Sequence, residues 1–184
     1  MLIDITLKIT NKMLEDAKNN KTPALEGHLG THFDTMDKDF PLEYTKRRGI
    51  IFDVSAAKDR DIDLSDVDLS KIEANTFVAF YTGYSDKNEY GAKGYFSNSP
   101  QLSHRLIDAL VDIGVSIIAL DFGGIRRGSE HIPKDQFCAD RGTFVIENLC
   151  NMKQLLSAEG FIANTYPLNA ADISGLPCRV IAEI

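Results

Sequence analysis

The sequence predicts an α/β domain built on a mixed β-sheet. Three observations point there. Short apolar or alternating runs recur along the whole chain, and one strongly amphipathic segment of helical period lies between two of them. The central runs are apolar without alternation, as in strands buried on both faces. At 184 residues the chain fits a single domain, residues 1–184, with enough length to bury a real core.

The elements follow in order. At the N-terminus Leu2, Ile3, Ile5, Leu7 and Ile9 alternate with Asp4, Thr6 and Lys8, which predicts a strand over "IDITLKI". That start lacks the basic residues and apolar block of a signal peptide. "TNKMLEDAKN" reads as a weak helix. "GIIFDVS", 49 to 55, is a strand bounded by Gly49 and Ser55. "LSDVDLSKI" reads as an acidic amphipathic helix with Leu64, Val67 and Ile72 as its apolar points. "TFVAFYTG", 76 to 83, is a strand ending at Gly83. "SPQLSHRLIDALVDIG", 99 to 114, is the clearest helix, because Leu102, Leu106, Ile107, Leu110 and Val111 form one stripe and Gly114 can end it. "VSIIALDFGG", 115 to 124, is a buried central strand, so residues 76 to 120 form a βαβ-like unit. "GTFVIENL", 142 to 149, is another strand. "NMKQLLSAEG" reads as a last helix closed by glycine, and the strands "FIANTYPL" and "CRVIAEI" end the chain.

Composition excludes several function classes. The net charge is -7, and Lys46-Arg47-Arg48 and Arg126-Arg127 are the only dense basic runs, so no nucleic-acid surface is expected. No apolar run approaches the roughly 20 residues that cross a bilayer. Cys138, Cys150 and Cys178 are an odd count without close pairs, which fits a reducing cytoplasm and small buried apolar side chains.

Chemistry concentrates in "GHLGTHFDTMDKDF", residues 27 to 40, which holds two of the four histidines. Imidazole nitrogen and carboxylate oxygen both suit Zn²⁺ or Mn²⁺. On a strand, His28 and His32 would be about 13 Å apart, and on a helix about 6 Å. Gly30 and Thr31 disfavour a helix, but Gly30 permits a tight bend that would aim both rings, with Asp34, at one ion. From the residues alone, an incidental loop pair and a metal site remain equal readings. Asp121 ends the buried strand, where it either supports a site or caps a turn. Arg126 and Arg127 read as a solvated loop or as contacts to an acidic substrate, and His104 as solvent-facing.

"HLGTHFD" resembles the H-x-G-T-H-x-D motif of the metal-dependent cyclase family, which includes bacterial kynurenine formamidases (arylformamidases) and isatin hydrolases. Other stretches resemble that family in order: "IDITLKI" its opening strand, "RRGIIFDVS" the strand after the motif, "TGYSDK" its T-G-W-S-D-like turn, "YFSNSPQLS" the approach to its main helix, "GVSIIALDFGGI" its G-V-x-x-I-G-x-D strand and "FVIENLCNMKQL" its I-x-E-N-L-x-N-L signature. The resemblance implies a swivelling β/β/α-type fold with a mixed sheet. It implies that His28, His32 and Asp34 bind a divalent metal, Zn²⁺ or Mn²⁺, one or two per chain. Glu147 would be a further ligand, at a second metal that Asp34 bridges. Where formamidases place another histidine for that metal, this chain has Asp135, with His131 four residues earlier in a loop as the alternative. The family motif continues D-x-P-x-H, and its last histidine acts as acid/base; here Met36 and Lys38 occupy the proline and histidine positions. Lys38 could transfer protons only with its pKa lowered towards neutrality, and Asp37 and Asp39 push the other way.

The expected function is hydrolysis of an aryl formamide or cyclic amide by metal-activated water, with Lys38 as the catalytic acid/base. Small-molecule substrates and a homodimer or higher homo-oligomer are expected with it. The alternative is a non-catalytic or altered-specificity small-molecule binding protein on a degenerate cyclase scaffold.

Overall fold

The apolar runs become strands of one eight-stranded sheet. The structure, a computed structural model, describes residues 1–19 and 26–184. Its strands are β1 (Leu2–Asp4), β2 (His32–Asp34), β3 (Lys46–Asp53), β4 (Phe77–Tyr81), β5 (Ile117–Leu120), β6 (Phe144–Glu147), β7 (Phe161–Pro167) and β8 (Gly175–Glu183). Its helices are α1 (Asn11–Asn19), α2 (His104–Ile113) and α3 (His131–Ala139). The sheet order is β1-β8-β2-β6-β5-β4-β3-β7, and β7 pairs back onto β8, so the sheet closes into a barrel. β3, β4, β5 and β6 run parallel to one another, whereas β1, β2, β7 and β8 pair antiparallel. The sheet is mixed, as expected. Among the described residues no helix is long and apolar enough to cross a membrane.

Alternation along the parallel strands divides the core in two. Phe77, Ala79, Ile117, Ala119, Phe144 and Ile146 join Phe33, Phe161 and Val180 on one side of the sheet. Val78, Phe80, Ile118, Leu120 and Val145 face the other side, where α2 packs Leu106, Ile107, Leu110 and Val111 against them. Burial on both faces is why these strands read as unbroken apolar runs. The expected βαβ unit is present: β4 and β5 are parallel neighbours, and α2 lies between them in the chain. Ser103 caps α2 by accepting the Leu106 N–H at 3.1 Å, and Gly114 ends it with φ of 81°.

Several elements differ from expectation. The expected first strand is assigned only to Asp4: Ile5 N–H still bonds the Val180 carbonyl, but Thr6 N–H turns to the Asp4 carboxylate and Leu7 N–H to the Thr31 hydroxyl, so the ladder lapses there. Residues 64 to 72 form two 3-10 turns, not a helix. Each turn starts from its own aspartate: Asp63 pairs with Asp66 as a capping box, and Asp68 accepts from Ser70 N–H. "NMKQLLSAEG" yields one 3-10 turn, Met152–Leu155, anchored by buried Met152 and Leu155. Residues 131 to 139 are helical rather than a loop, with Pro133 in the first turn where its missing N–H costs little.

The two-sided core assigns its cost to one helix face. Leu110→Ala is expected to destabilise the fold by about 2–5 kcal/mol through lost transfer energy and a cavity. Leu42→Ala, at a side chain 80% exposed, is expected to change it by about 0.5 kcal/mol or less. Chemical denaturation of both variants checks this; equal losses would contradict the packing described.

Candidate metal centre

The centre begins with strand register. β2 pairs with β6 so that His32 lies opposite Glu147, Phe33 opposite Ile146 and Asp34 opposite Val145. Phe33 and Ile146 enter the barrel core. Alternation therefore sends His32, Asp34 and Glu147 to the other face of the sheet. All three are buried, at 2% exposure each. α3 lies against β6 on that face. His131 and Asp135, four apart on α3, project together towards Glu147.

Two glycines set the loop that brings His28 in. Gly30 has φ of 75° and makes the bend before β2. Gly27 has φ of 85°, and a Cβ there would come within 1.8 Å of the Gly175 carbonyl oxygen at the start of β8. This close crossing lets His28 turn back over β2. Its Nδ1 then lies 3.0 Å from His32 Nε2 and 3.0 Å from Asp34 Oδ1. His32 Nε2 is 3.5 Å from Asp34 Oδ1 and 3.8 Å from Glu147 Oε2. On the far side, His131 Nε2 lies 3.0 Å from both Asp135 Oδ2 and Glu147 Oε1.

Two donor sets thus meet at Asp34: His28, His32 and Asp34, and Asp34, His131, Asp135 and Glu147. Within each set the ligand atoms lie within 4.8 Å of one another. The expected residues His28, His32, Asp34, Asp135 and Glu147 are brought together. His131 stands beside Asp135 rather than instead of it.

The electrostatics fit a cation-binding centre. Burial pushes the Asp135 and Glu147 carboxylates above their usual range, and the nearby Asp34 charge adds to it. Burial also works against Asp34, yet His32 and His28 hold its pKa well below the usual range. Burial opposes a charge on His32, but Asp34 and Glu147 outweigh it and raise the pKa to about 9. Against the same opposition, Asp135 and Glu147 raise His131 to about 11. Among the described residues, Asp34 Oδ2 and Asp135 Oδ1 are the buried side-chain polar atoms with no hydrogen-bond partner. Unpaired buried carboxylate oxygens are costly, and a divalent cation is the partner that suits both.

The surroundings orient the donors. The Gly30 carbonyl can only accept, so His32 Nδ1 donates to it at 2.9 Å and leaves Nε2 with its lone pair for the centre. His28 Nε2 lies 2.9 Å from Ser174 Oγ. Asn148, at φ of 58°, donates to the Gly30 carbonyl at 3.2 Å and accepts from Tyr95. Thr31 bonds the Asn148 carbonyl, and Tyr90 accepts the Gly30 N–H. The chemical reading of the residues did not single out these supports. Their one trace was the asparagine following Glu147, a residue type that tolerates a left-handed backbone.

The centre floors a cleft of about 660 Å³. Met13, Leu29, Tyr90, Phe96 and Ile132 form its apolar walls. Lys38 is not among the lining side chains. Its ammonium lies 2.8 Å from Asp140 and 3.1 Å from Asp37 in a neighbouring hollow. Hydrogen bonds to Asp140 and Asp37 raise its pKa, the opposite of what an acid/base near neutrality needs. The structure does not bring Lys38, the expected acid/base, to the metal-ligating cluster. Asp121 caps a turn: it accepts from Thr82, Gly83 and Tyr84 N–H groups. Burial raises its pKa to about 6 in spite of those bonds. Arg126 is buried between Asp61 and Glu130, and Arg127 bonds Gln101 and the Ser97 carbonyl, so neither faces the cleft. His104 is half exposed, near Glu130. The three cysteines are free.

Comparison with known proteins accords with this architecture. Residues 3–125 match the family model "Cyclase", described as "Putative cyclase". No curated protein sequence matches this one significantly. Among solved structures, one described as a potential metal-dependent hydrolase with cyclase activity superposes with a TM-score of 0.77 at 22% identity, covering 99% of this chain and 96% of that one. A predicted metal-dependent hydrolase from Bacillus stearothermophilus gives 0.76 at 20% identity, covering 99% and 97%. Isatin hydrolase A from Labrenzia aggregata, bound to benzyl benzoate, gives 0.69 at 21% identity, covering 84% and 72%. These likenesses establish a shared fold, and the family match, which spans well over half of the sequence and includes the His28–Asp34 motif, establishes that this chain belongs to the cyclase family.

Proposed function

We propose that this chain is a metal-dependent hydrolase that opens an amide bond in a small aryl formamide or cyclic amide. The observation that carries the reading is the convergence of six metal-ligating side chains, with two unpartnered buried oxygens, on the floor of an apolar cleft. The neighbours described as isatin hydrolase and as metal-dependent hydrolases support it.

His28, His32 and Asp34 would hold one divalent ion, Zn²⁺ or Mn²⁺, and Asp34, His131, Asp135 and Glu147 a second. When bound, such an ion supplies Lewis-acid polarisation of a carbonyl and a lowered pKa for water. This chain's residues do the rest. The Gly30 carbonyl fixes the His32 tautomer, so Nε2 stays turned to the centre. Tyr90, Phe96 and Ile132 form a wall against which a planar aryl group can lie, and they restrict water at the scissile bond. Among the described residues the cleft carries no Lys or Arg.

A second reading, a binding protein on a degenerate scaffold, is favoured by Lys38 being held by Asp37 and Asp140 outside the cleft. Turnover separates the two. Metal-loaded protein is expected to hydrolyse a neutral aryl formamide or a lactam such as isatin, to lose that activity to a chelator and to regain it with Zn²⁺ or Mn²⁺. Lys38→Ala is expected to leave kcat within about twofold, since Asp37 and Asp140 hold its ammonium outside the cleft. Saturable ligand binding with no turnover at any metal loading would favour the second reading and sink the first.

His32→Ala is expected to weaken Zn²⁺ binding by about tenfold or more, read by competition with a chromogenic chelator. Unchanged affinity would remove His32 from the centre. Metal binding should also depend on pH. His32, raised to about 9, is protonated at neutral pH without the ion. A ligand must be the neutral imidazole, so uptake releases protons. Apparent Zn²⁺ affinity is therefore expected to rise from pH 6 towards pH 9. Calorimetry in buffers of different ionisation enthalpy reads the proton release directly, and a flat profile would contradict it.

A further inference from the structure

The two donor sets that meet at Asp34 are chemically unequal. His28, His32 and Asp34 offer two imidazole nitrogens and one carboxylate, whereas Asp34, His131, Asp135 and Glu147 offer three carboxylates and one imidazole. Imidazole suits Zn²⁺ and carboxylate suits Mn²⁺ or Mg²⁺, so an oxygen-rich set narrows the lead that the Irving–Williams order gives Zn²⁺ over Mn²⁺. Asp34 makes the division at a single side chain. Its Oδ1 faces the His28 and His32 nitrogens at 3.0 and 3.5 Å, while its Oδ2 is buried with no partner. The other unpartnered buried oxygen is Asp135 Oδ1, in the carboxylate set. That set also carries the larger negative charge, which strengthens its attraction for any divalent cation.

We propose that the centre is a pair of unequal subsites: a Zn²⁺-selective one at His28, His32 and Asp34, and a hard one at Asp34, His131, Asp135 and Glu147 that accepts Mn²⁺ or Mg²⁺ beside it. The inference rests on the metal-dependent reading above and adds the division of cations within it. Asp135 is the residue that sets the division. With histidine there, the second set would hold two nitrogens and lose one formal charge, and the two subsites would become alike.

The test uses the full chain stripped by chelator, given one equivalent of Zn²⁺ and titrated with Mn²⁺. The six-line electron paramagnetic resonance signal of free aqueous Mn²⁺ reads what remains unbound, and elemental analysis after gel filtration reads retained Zn²⁺. The expected result is one further Mn²⁺ per chain with Zn²⁺ retained. In Asp135→His, with folding checked by circular dichroism, the preference for Zn²⁺ over Mn²⁺ at the second subsite is expected to rise by about tenfold or more, the size of ligand-shell effects. Displacement of Zn²⁺ by Mn²⁺, no second ion, or the same Zn²⁺-over-Mn²⁺ ratio at both subsites would each overturn the division on wild-type protein alone, while leaving a metal centre standing. Failure to bind Zn²⁺ at all would overturn the metal-dependent reading itself.

Discussion

Three carboxylates, Asp34, Asp135 and Glu147, are buried at 2% exposure each, with ligand atoms within 4.8 Å of one another. Two like charges at that separation repel by roughly 3–4 kcal/mol at an effective dielectric of about 20, and desolvation adds to the cost. This is a large debt for a fold whose net stability is only about 5–15 kcal/mol. His32 and His131 flank the carboxylates, which raise the two histidine pKa values to about 9 and about 11. Among the described residues Asp34 Oδ2 and Asp135 Oδ1 are left unpartnered, and a divalent cation would offset the repulsion and suit both oxygens.

The scaffold exists in the form that keeps those groups fixed. The parallel strands β4, β5 and β6 are packed on both faces, so β6 cannot shift its register without moving Phe144 and Ile146 out of the core. β2 is only three residues long, and Phe33 is its sole apolar anchor. It is held between β6 and β8. The loop before it is tied by bonds from Tyr90 and Asn148 to Gly30. Precision at the centre thus comes from one short strand clamped on both edges, and from a helix whose inward face carries an acid.

The legible and illegible parts of the sequence divide along this same line. β4, β5 and β6 were readable because two-sided burial writes itself as a continuous apolar run. α2 was readable because its stripe, its serine cap and its closing glycine agree. β2 was hidden, since two of its three residues are polar and buried. α3 was hidden for a related reason: it buries Asp135 and exposes Ile132, which inverts the amphipathic pattern. For the site, the resemblance of the motif and of the E-N-L stretch to the cyclase family pointed to His28, His32, Asp34 and Glu147, and the place of a formamidase histidine in that resemblance pointed to Asp135. The choice posed between Asp135 and His131 dissolved once 131 to 139 proved helical, since residues four apart then face the same way. Lys38 stands apart from the cluster, and the sequence shows only its place in the motif. The partner that fixes it, Asp140, sits a hundred residues away at the end of α3.

The central claim is that the buried carboxylate cluster is completed by a divalent cation. Thermal unfolding of chelator-stripped protein, with and without Zn²⁺, tests it most directly. An ion that binds only the folded chain adds about 2.7 kcal/mol at a hundredfold excess over Kd. The Tm is expected to rise with Zn²⁺ concentration in the wild-type chain and to stay fixed in Asp34→Ala, which removes the carboxylate common to both donor sets. A wild-type Tm indifferent to Zn²⁺, or an equal rise in Asp34→Ala, would contradict it.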